Sequence, residues 1–140
     1  MRNRIVAVID DNKKYLNRLE KILLLGGYDP VLVMDPVLAV DTVVKNRPDI
    51  VLMELRLPRK NGFEIAEAIN RSFAEKQLPI IAMSELFKRE LSFFWDLCGI
   101  TRRIIKPFQP LDVIWAIENE MGGERNVRQA FNRFNSFDAA

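Results

Sequence analysis

The feature that most constrains this chain is an alternation. Short apolar runs rich in β-branched residues are each stopped by acids or turn formers, then followed by apolar residues at three- and four-residue spacing. Ile5 to Ile9 runs into Asp10-Asp11-Asn12. From Lys13 to Leu25, Leu16, Leu19, Ile22 and Leu23 then share one helical stripe that ends at Gly26-Gly27. Val31 to Met34 is the second run, and Pro36 suits the first turn of a helix through Val37 to Lys45 that Pro48 stops. Asp49 to Leu55 is apolar enough for a central parallel strand buried on both faces, apart from Glu54 near its end. A Pro- and Asn-Gly-containing loop from Leu57 to Gly62 leads to a helix over Phe63 to Phe73. Pro79 to Met83 reads as strand four, Arg89 to Cys98 as a helix, and Ile104-Ile105 as a short fifth strand. Leu111 to Met121 closes the series with Val113, Ile114, Ile117 and Met121 on one side. Five strands alternating with five helices give an α/β fold, a doubly wound five-stranded parallel sheet with right-handed crossovers.

With 140 residues the chain has the length of one domain, expected over residues 1–121. Residues 122–140 are expected to form a helical extension or a linker, with Val127, Phe131, Phe134 and Phe137 on one stripe. His is absent, which removes Ser-His-Asp and Cys-His catalysis, His-ligated metals and a His phosphodonor together. Cys98 is the one cysteine, so no internal disulfide forms, and a reducing, cytoplasmic setting is expected. Its neighbours in helical register, Leu91, Phe94 and Trp95, suggest a small core residue. The net charge of +2 comes from scattered basic residues, so nucleic acid is not an expected direct partner. No stretch approaches the ~18 uninterrupted apolar residues of a membrane span.

Doubly wound sheets carry their sites at the C-terminal ends of the strands. There this chain places Asp10 and Asp11, Glu54, Ser84 and Lys106-Pro107. Three carboxylates on one rim need a cation, either Mg²⁺ or the Lys106 ammonium. Taken singly, Asp10-Asp11 could be a helix cap, Ser84 another cap and Lys106-Pro107 a loop. Together, acids, a lysine and a hydroxyl form the set of parts for phosphoryl transfer onto a carboxylate.

The segments VAVIDDN, PDIVLMELRLPRKNG, PIIAMS and IIKPF resemble the response-regulator receiver domain of two-component signalling. Intervals of 44, 30 and 22 residues separate Asp10, Glu54, Ser84 and Lys106. The resemblance runs over residues 3 to 121 and implies a flavodoxin-like receiver fold. It implies that Asp10 and Asp11 are the acidic pair, with Asp11 a direct metal ligand beside Glu54 and the Arg56 carbonyl. It further implies that Ser84 and Lys106 contact a phosphoryl group, and that the Lys106-Pro107 bond is cis. The chain departs from the family where the phosphoacceptor aspartate belongs: Glu54 stands there, one methylene longer. Arg103 occupies the place of the aromatic switch residue, and Glu85 that of a small residue.

These departures imply a pseudo-receiver, not conventionally phosphorylated, not an enzyme, and with weak Mg²⁺ binding. Glu54 either stands in for phosphoaspartate or pairs statically with Lys106. Expected partners are a histidine kinase or an output protein, together with a homodimer through the fourth helix, fifth strand and fifth helix. That surface includes Phe93, Leu97, Arg102, Arg103 and Trp115, unless the tail covers it. Seven of the nine Phe and both Trp follow residue 86, which makes this end unusually apolar for a surface. One alternative is a working receiver phosphorylated on another acid of the site. A Mg²⁺-dependent phosphatase fits less well, because Asp10-Asp11-Asn12 lacks the Asp-x-Asp that such enzymes need. A nucleotide cradle also fits less well, since no Gly-rich loop follows Ile9.

Overall fold

A computed structural model describes residues 2–73, 75–87, 92–122 and 132. The strands are β1 (Ile5–Ile9), β2 (Asp29–Val33), β3 (Ile50–Glu54), β4 (Ile80–Ser84) and β5 (Ile100–Ile105). They form one parallel sheet in the order β2-β1-β3-β4-β5. The helices are α1 (Lys13–Leu25), α2 (Ala39–Asn46), α3 (Gly62–Ser72), α4 (Ser92–Leu97) and α5 (Pro110–Glu120). The expected α/β architecture is therefore present. No helix among the described residues is long and apolar enough to cross a membrane.

Side-chain alternation along each strand divides the core into two layers. Val6, Val8, Ile50, Leu52, Ile81 and Met83 pack with the α1 stripe of Leu16, Leu19, Ile22 and Leu23 and with Val113, Ile114 and Ile117 of α5. Ala7, Ile9, Val51, Met53, Ile80 and Ala82 face the other way, toward Val43 of α2, Ile65 and Ile69 of α3, and Cys98. Each large aliphatic buried in this way contributes roughly 1.5–3 kcal/mol. Because β1, β3 and β4 are interior strands, almost every residue in them is sealed on both faces. The Tyr28 hydroxyl donates to buried Glu118, tying the turn before β2 to α5.

The structure departs from the sequence expectation where a strand lies at an edge. β2 begins at Asp29 and includes Pro30, which an edge strand tolerates because one side of its backbone is unpaired. β5 has six residues, not two. Its Thr101, Arg102 and Arg103 hide it from an apolar-run criterion, yet such residues are common on edges. The helix expected from Val37 starts as a 3₁₀ turn over Pro36–Leu38, capped by Asp35, before α2 begins. It ends at Asn46, with Arg47 in a left-handed conformation. Phe94, expected on the inner face of α4 with Cys98, is instead 44% exposed and stacks against Phe93 and Phe63. Cys98 itself is buried, and burial pushes its thiol pKa up. Leu91, the start of the helix expected from Arg89, and the stripe from Val127 to Phe137 lie outside the described residues.

Candidate functional site

Three loops build the site. Asp10 follows β1 directly and is wholly buried, with its backbone N–H bonded to the Val33 carbonyl at 3.0 Å. Its Oδ1 accepts the Asn12 N–H at 2.9 Å, while Asn12 caps α1 by accepting from Lys14 and Tyr15. Glu54 ends β3, and its Oε2 accepts the Arg56 N–H at 3.0 Å. Behind it, Gly62 opens α3 where an added Cβ would lie 2.6 Å from the Leu55 carbonyl oxygen, so the loop returns over the strand at a distance only glycine permits. Lys106 follows β5, its N–H bonded to the Ser84 carbonyl at 2.9 Å and its bond to Pro107 cis.

The Lys106 ammonium joins the other two. Its Nζ lies 2.5 Å from Asp10 Oδ2 and 3.0 Å from Glu54 Oε1, with all three side chains almost completely removed from solvent. The Tyr15 ring lies 4.0 Å from the ammonium and closes its remaining side, and Phe108 packs beside Tyr15. Burial alone would lower the Lys106 pKa, but the bonds to Asp10 and Glu54 outweigh it and hold the ammonium above its ordinary value. Burial raises the Asp10 pKa, and the bonds from Lys106 and Asn12 offset this only in part. An ion pair alone would drive the two values apart. Complete desolvation of the carboxylate explains why both move up.

Asp10, Glu54 and Lys106 are therefore brought together, whereas the other expected site residues are not. Ser84 is buried at the same rim, but its hydroxyl has no hydrogen-bond partner among the described residues. Asp11 is exposed and lines a neighbouring cleft with Arg56, which meets Glu54 through its N–H. Arg103 points elsewhere, its guanidinium 4.7 Å from the Trp95 ring and 5.8 Å from that of Phe87. Tyr15 was not among the expected site residues, although Tyr15, Leu19 and Ile22 form an i, i+4, i+7 row that extends the buried stripe of α1 to the rim.

A hard divalent ion needs about six oxygen ligands. Here all four carboxylate oxygens of Asp10 and Glu54 already accept from an ammonium or a backbone N–H. Among the described residues no group of three or more acids, His or Cys is placed to hold a metal. Each of these oxygens keeps a second lone pair, so a Mg²⁺ ion held by Asp11, Glu54 and the Arg56 carbonyl would share Glu54 with the Lys106 ammonium, which already supplies a cation to the acids.

The response regulator receiver domain profile matches residues 6–118, and the chain belongs to that family of two-component signalling modules. Its fold is shared with the chemotaxis protein CheY4 of Vibrio cholerae, at 22% identity and a TM-score of 0.79 over 84% of this chain and 98% of that one. A CheY-like receiver domain protein from Methanospirillum hungatei JF-1 is similar at 18% identity and a TM-score of 0.79, covering 93% and 98% of the two chains. The receiver domain of sensor histidine kinase PA1611 from Pseudomonas aeruginosa PAO1 is 24% identical with a TM-score of 0.77 over 86% and 99%, and holds a magnesium ion coordinated in its active-site cleft.

Proposed function

We propose that this receiver is a pseudo-receiver that works in the cytoplasm by protein contact from one resting state, with Glu54 locked at the phosphoacceptor position. The observation that carries this reading is the engagement of both carboxylate oxygens of Glu54. One carboxylate oxygen accepts from Lys106 and the other from the Arg56 amide, in a site from which water is excluded. A carboxylate nucleophile needs a free lone pair aimed at the donor phosphorus. Here the Lys106 ammonium partly neutralises the carboxylate, which lowers the nucleophilicity of the lone pairs it keeps.

Static pairing is favoured over mimicry of phosphoaspartate. Of the two side chains that the family uses to read a phosphoryl group, Glu54 engages Lys106, while the Ser84 hydroxyl has no partner among the described residues. Mg²⁺ binding is weak, because the ion competes with the Lys106 ammonium for the same oxygens. The working surface in this reading is the face of α4, β5 and α5. Phe93 is 66% exposed, Leu97 60% and Trp115 50%, with Arg102 stacked over Trp115 at 4.9 Å and Arg103 alongside. Ile105, 63% exposed, adds a further apolar residue to this face. The partner is a histidine kinase or an output protein.

Acetyl phosphate with Mg²⁺, followed by intact mass under conditions that preserve acyl phosphates, tests the reading. The expected spectrum shows no phosphoryl adduct on the wild-type chain. A stable adduct, on Glu54, Asp10 or another acid of the rim, would overturn it.

A further inference from the structure

β5 carries two adjacent arginines, and strand alternation sends them to opposite faces of the sheet edge. Each lies over one of the two tryptophans of the chain. Arg102 sits 4.9 Å from the Trp115 ring of α5 and also bonds Glu120 at 2.8 Å. Arg103 sits 4.7 Å from the Trp95 ring of α4 and 5.8 Å from the ring of Phe87, in the segment after β4. No acid among the described residues pairs with Arg103, so its charge is met by aromatic rings.

The two helices depend on these contacts to different degrees. α5 is held by Val113, Ile114 and Ile117, all buried in the core. α4 has six residues and leaves Phe93, Phe94 and Leu97 exposed. Its inward side chain is Trp95, partly buried against the core layer of α2 and α3, with Cys98 just past its end. Trp95 and Phe87 meet edge to face with centroids 5.5 Å apart, and the guanidinium reaches both. Three segments thus meet at one cation: the chain after β4, the short helix and the edge strand.

We propose that Arg103 is a positioning residue that clamps α4 onto β5 through Trp95 and Phe87. It holds a fixed contact at the position where the family carries its aromatic switch residue. α4, and with it Phe93 and Leu97, then keeps one place whatever the charge at the rim, a consequence that rests on the single resting state proposed above.

The test reads α4 in two ways. In the full chain carrying Trp115→Phe, acrylamide quenching reports on Trp95 as the one indole. In the unaltered chain, hydrogen exchange is followed at the Cys98 amide, which bonds the Phe94 carbonyl at 3.0 Å, with the amides of α5 as reference. Arg103 is exposed, and Arg103→Gln should still fold. It should raise the Trp95 quenching constant about twofold and speed Cys98 exchange about fivefold, with α5 unchanged. Arg103→Lys keeps the charge and should lie closer to wild type than to Arg103→Gln in both readouts. Glu54→Gln, with Arg103 intact, should match wild type. Four outcomes would overturn the proposal: no change in Arg103→Gln, an equal rise in α5 exchange, Arg103→Lys as loose as Arg103→Gln, or a loosened α4 in Glu54→Gln. A phosphoryl adduct formed with Trp95 unmoved would instead defeat the pseudo-receiver reading and support the clamp.

Discussion

β5 and the residue after it face two regions of opposite character. Ile104 and Lys106 point inward, and the lysine is buried and bonded to two carboxylates; Arg103 and Ile105 point outward, and the isoleucine is left in solvent. Charge inside and apolar surface outside is the reverse of what stability alone would select. At the rim, the inversion is balanced by hydrogen bonds: every carboxylate oxygen of Asp10 and Glu54 has a donor. On the outer face of α4, β5 and α5 nothing balances it among the described residues, and Phe93, Leu97, Ile105 and Trp115 stay exposed. The comparison teaches that the two regions spend free energy differently. The rim stores it in a closed ionic contact, and the face leaves it as apolar surface in solvent.

Breaking the rim should have the largest effect. Lys106→Met leaves Asp10 and Glu54 buried side by side with no cation, and removing one member of a buried ionic group ordinarily costs about 3–5 kcal/mol. Chemical denaturation at pH 7 should show a loss of this size. A loss below about 1 kcal/mol would mean that the ammonium does not hold the rim together.

A smaller effect of opposite sign is expected at Asp10. Burial raises its pKa above the ordinary value of 3.8, so the folded state favours the neutral acid. The stabilising contribution of this group is full below its unfolded pKa and is lost as pH rises through the folded one. At pH 7 the wild-type chain therefore carries a net cost that a permanently neutral side chain avoids, while Lys106 keeps Glu54 as its partner. Asp10→Asn should be more stable than wild type at pH 7 by about 1 kcal/mol, with the advantage shrinking as pH falls below the folded pKa. Denaturant midpoints at several pH values check both size and slope. A variant less stable than wild type at pH 7 would show that the bonds from Lys106 and Asn12 outweigh desolvation.

The outer face should respond in the contrary way. Phe93→Ser and Leu97→Ser remove side chains that are already about two-thirds exposed, so each should change stability by no more than about 0.5 kcal/mol. Loss of binding to a partner captured through this face, with stability unchanged, would separate recognition from folding. A loss above about 1.5 kcal/mol would mean that something covers these residues in the isolated chain.

The contrast also explains what could be read from the sequence. Interior strands were legible because burial on both faces leaves an uninterrupted apolar run, as in Ile50 to Met53. Edge strands were legible in place but not in extent: Pro30 and the pair Arg102-Arg103 are tolerated where one side of the strand lacks a neighbour, a fact of topology rather than of local sequence. At the rim, Asp10, Glu54 and Lys106 could be placed because strand ends converge in a doubly wound sheet. Spacing carries no information on side-chain direction. It did not reveal that Arg103 turns toward Trp95, that the Ser84 hydroxyl finds no partner among the described residues, or that Tyr15 closes over the ammonium.

The smallest effect is expected where rim and face would have to communicate. If Glu54 acted as a fixed on-signal, neutralising it would release Lys106 and Ser84 and alter association through the outer face. Among the described residues the Ser84 hydroxyl has no hydrogen-bond partner, so Glu54 makes no contact with it whose release could be transmitted along β4. Lys106, for its part, keeps Asp10 when Glu54 is neutralised. Sedimentation of wild type and Glu54→Gln over a concentration series, with and without Mg²⁺, should give the same mass for both chains at every concentration. A wild-type chain that associates while Glu54→Gln stays monomeric would make Glu54 a switch and join the two regions into one device. Identical masses would leave Glu54 with no part in self-association.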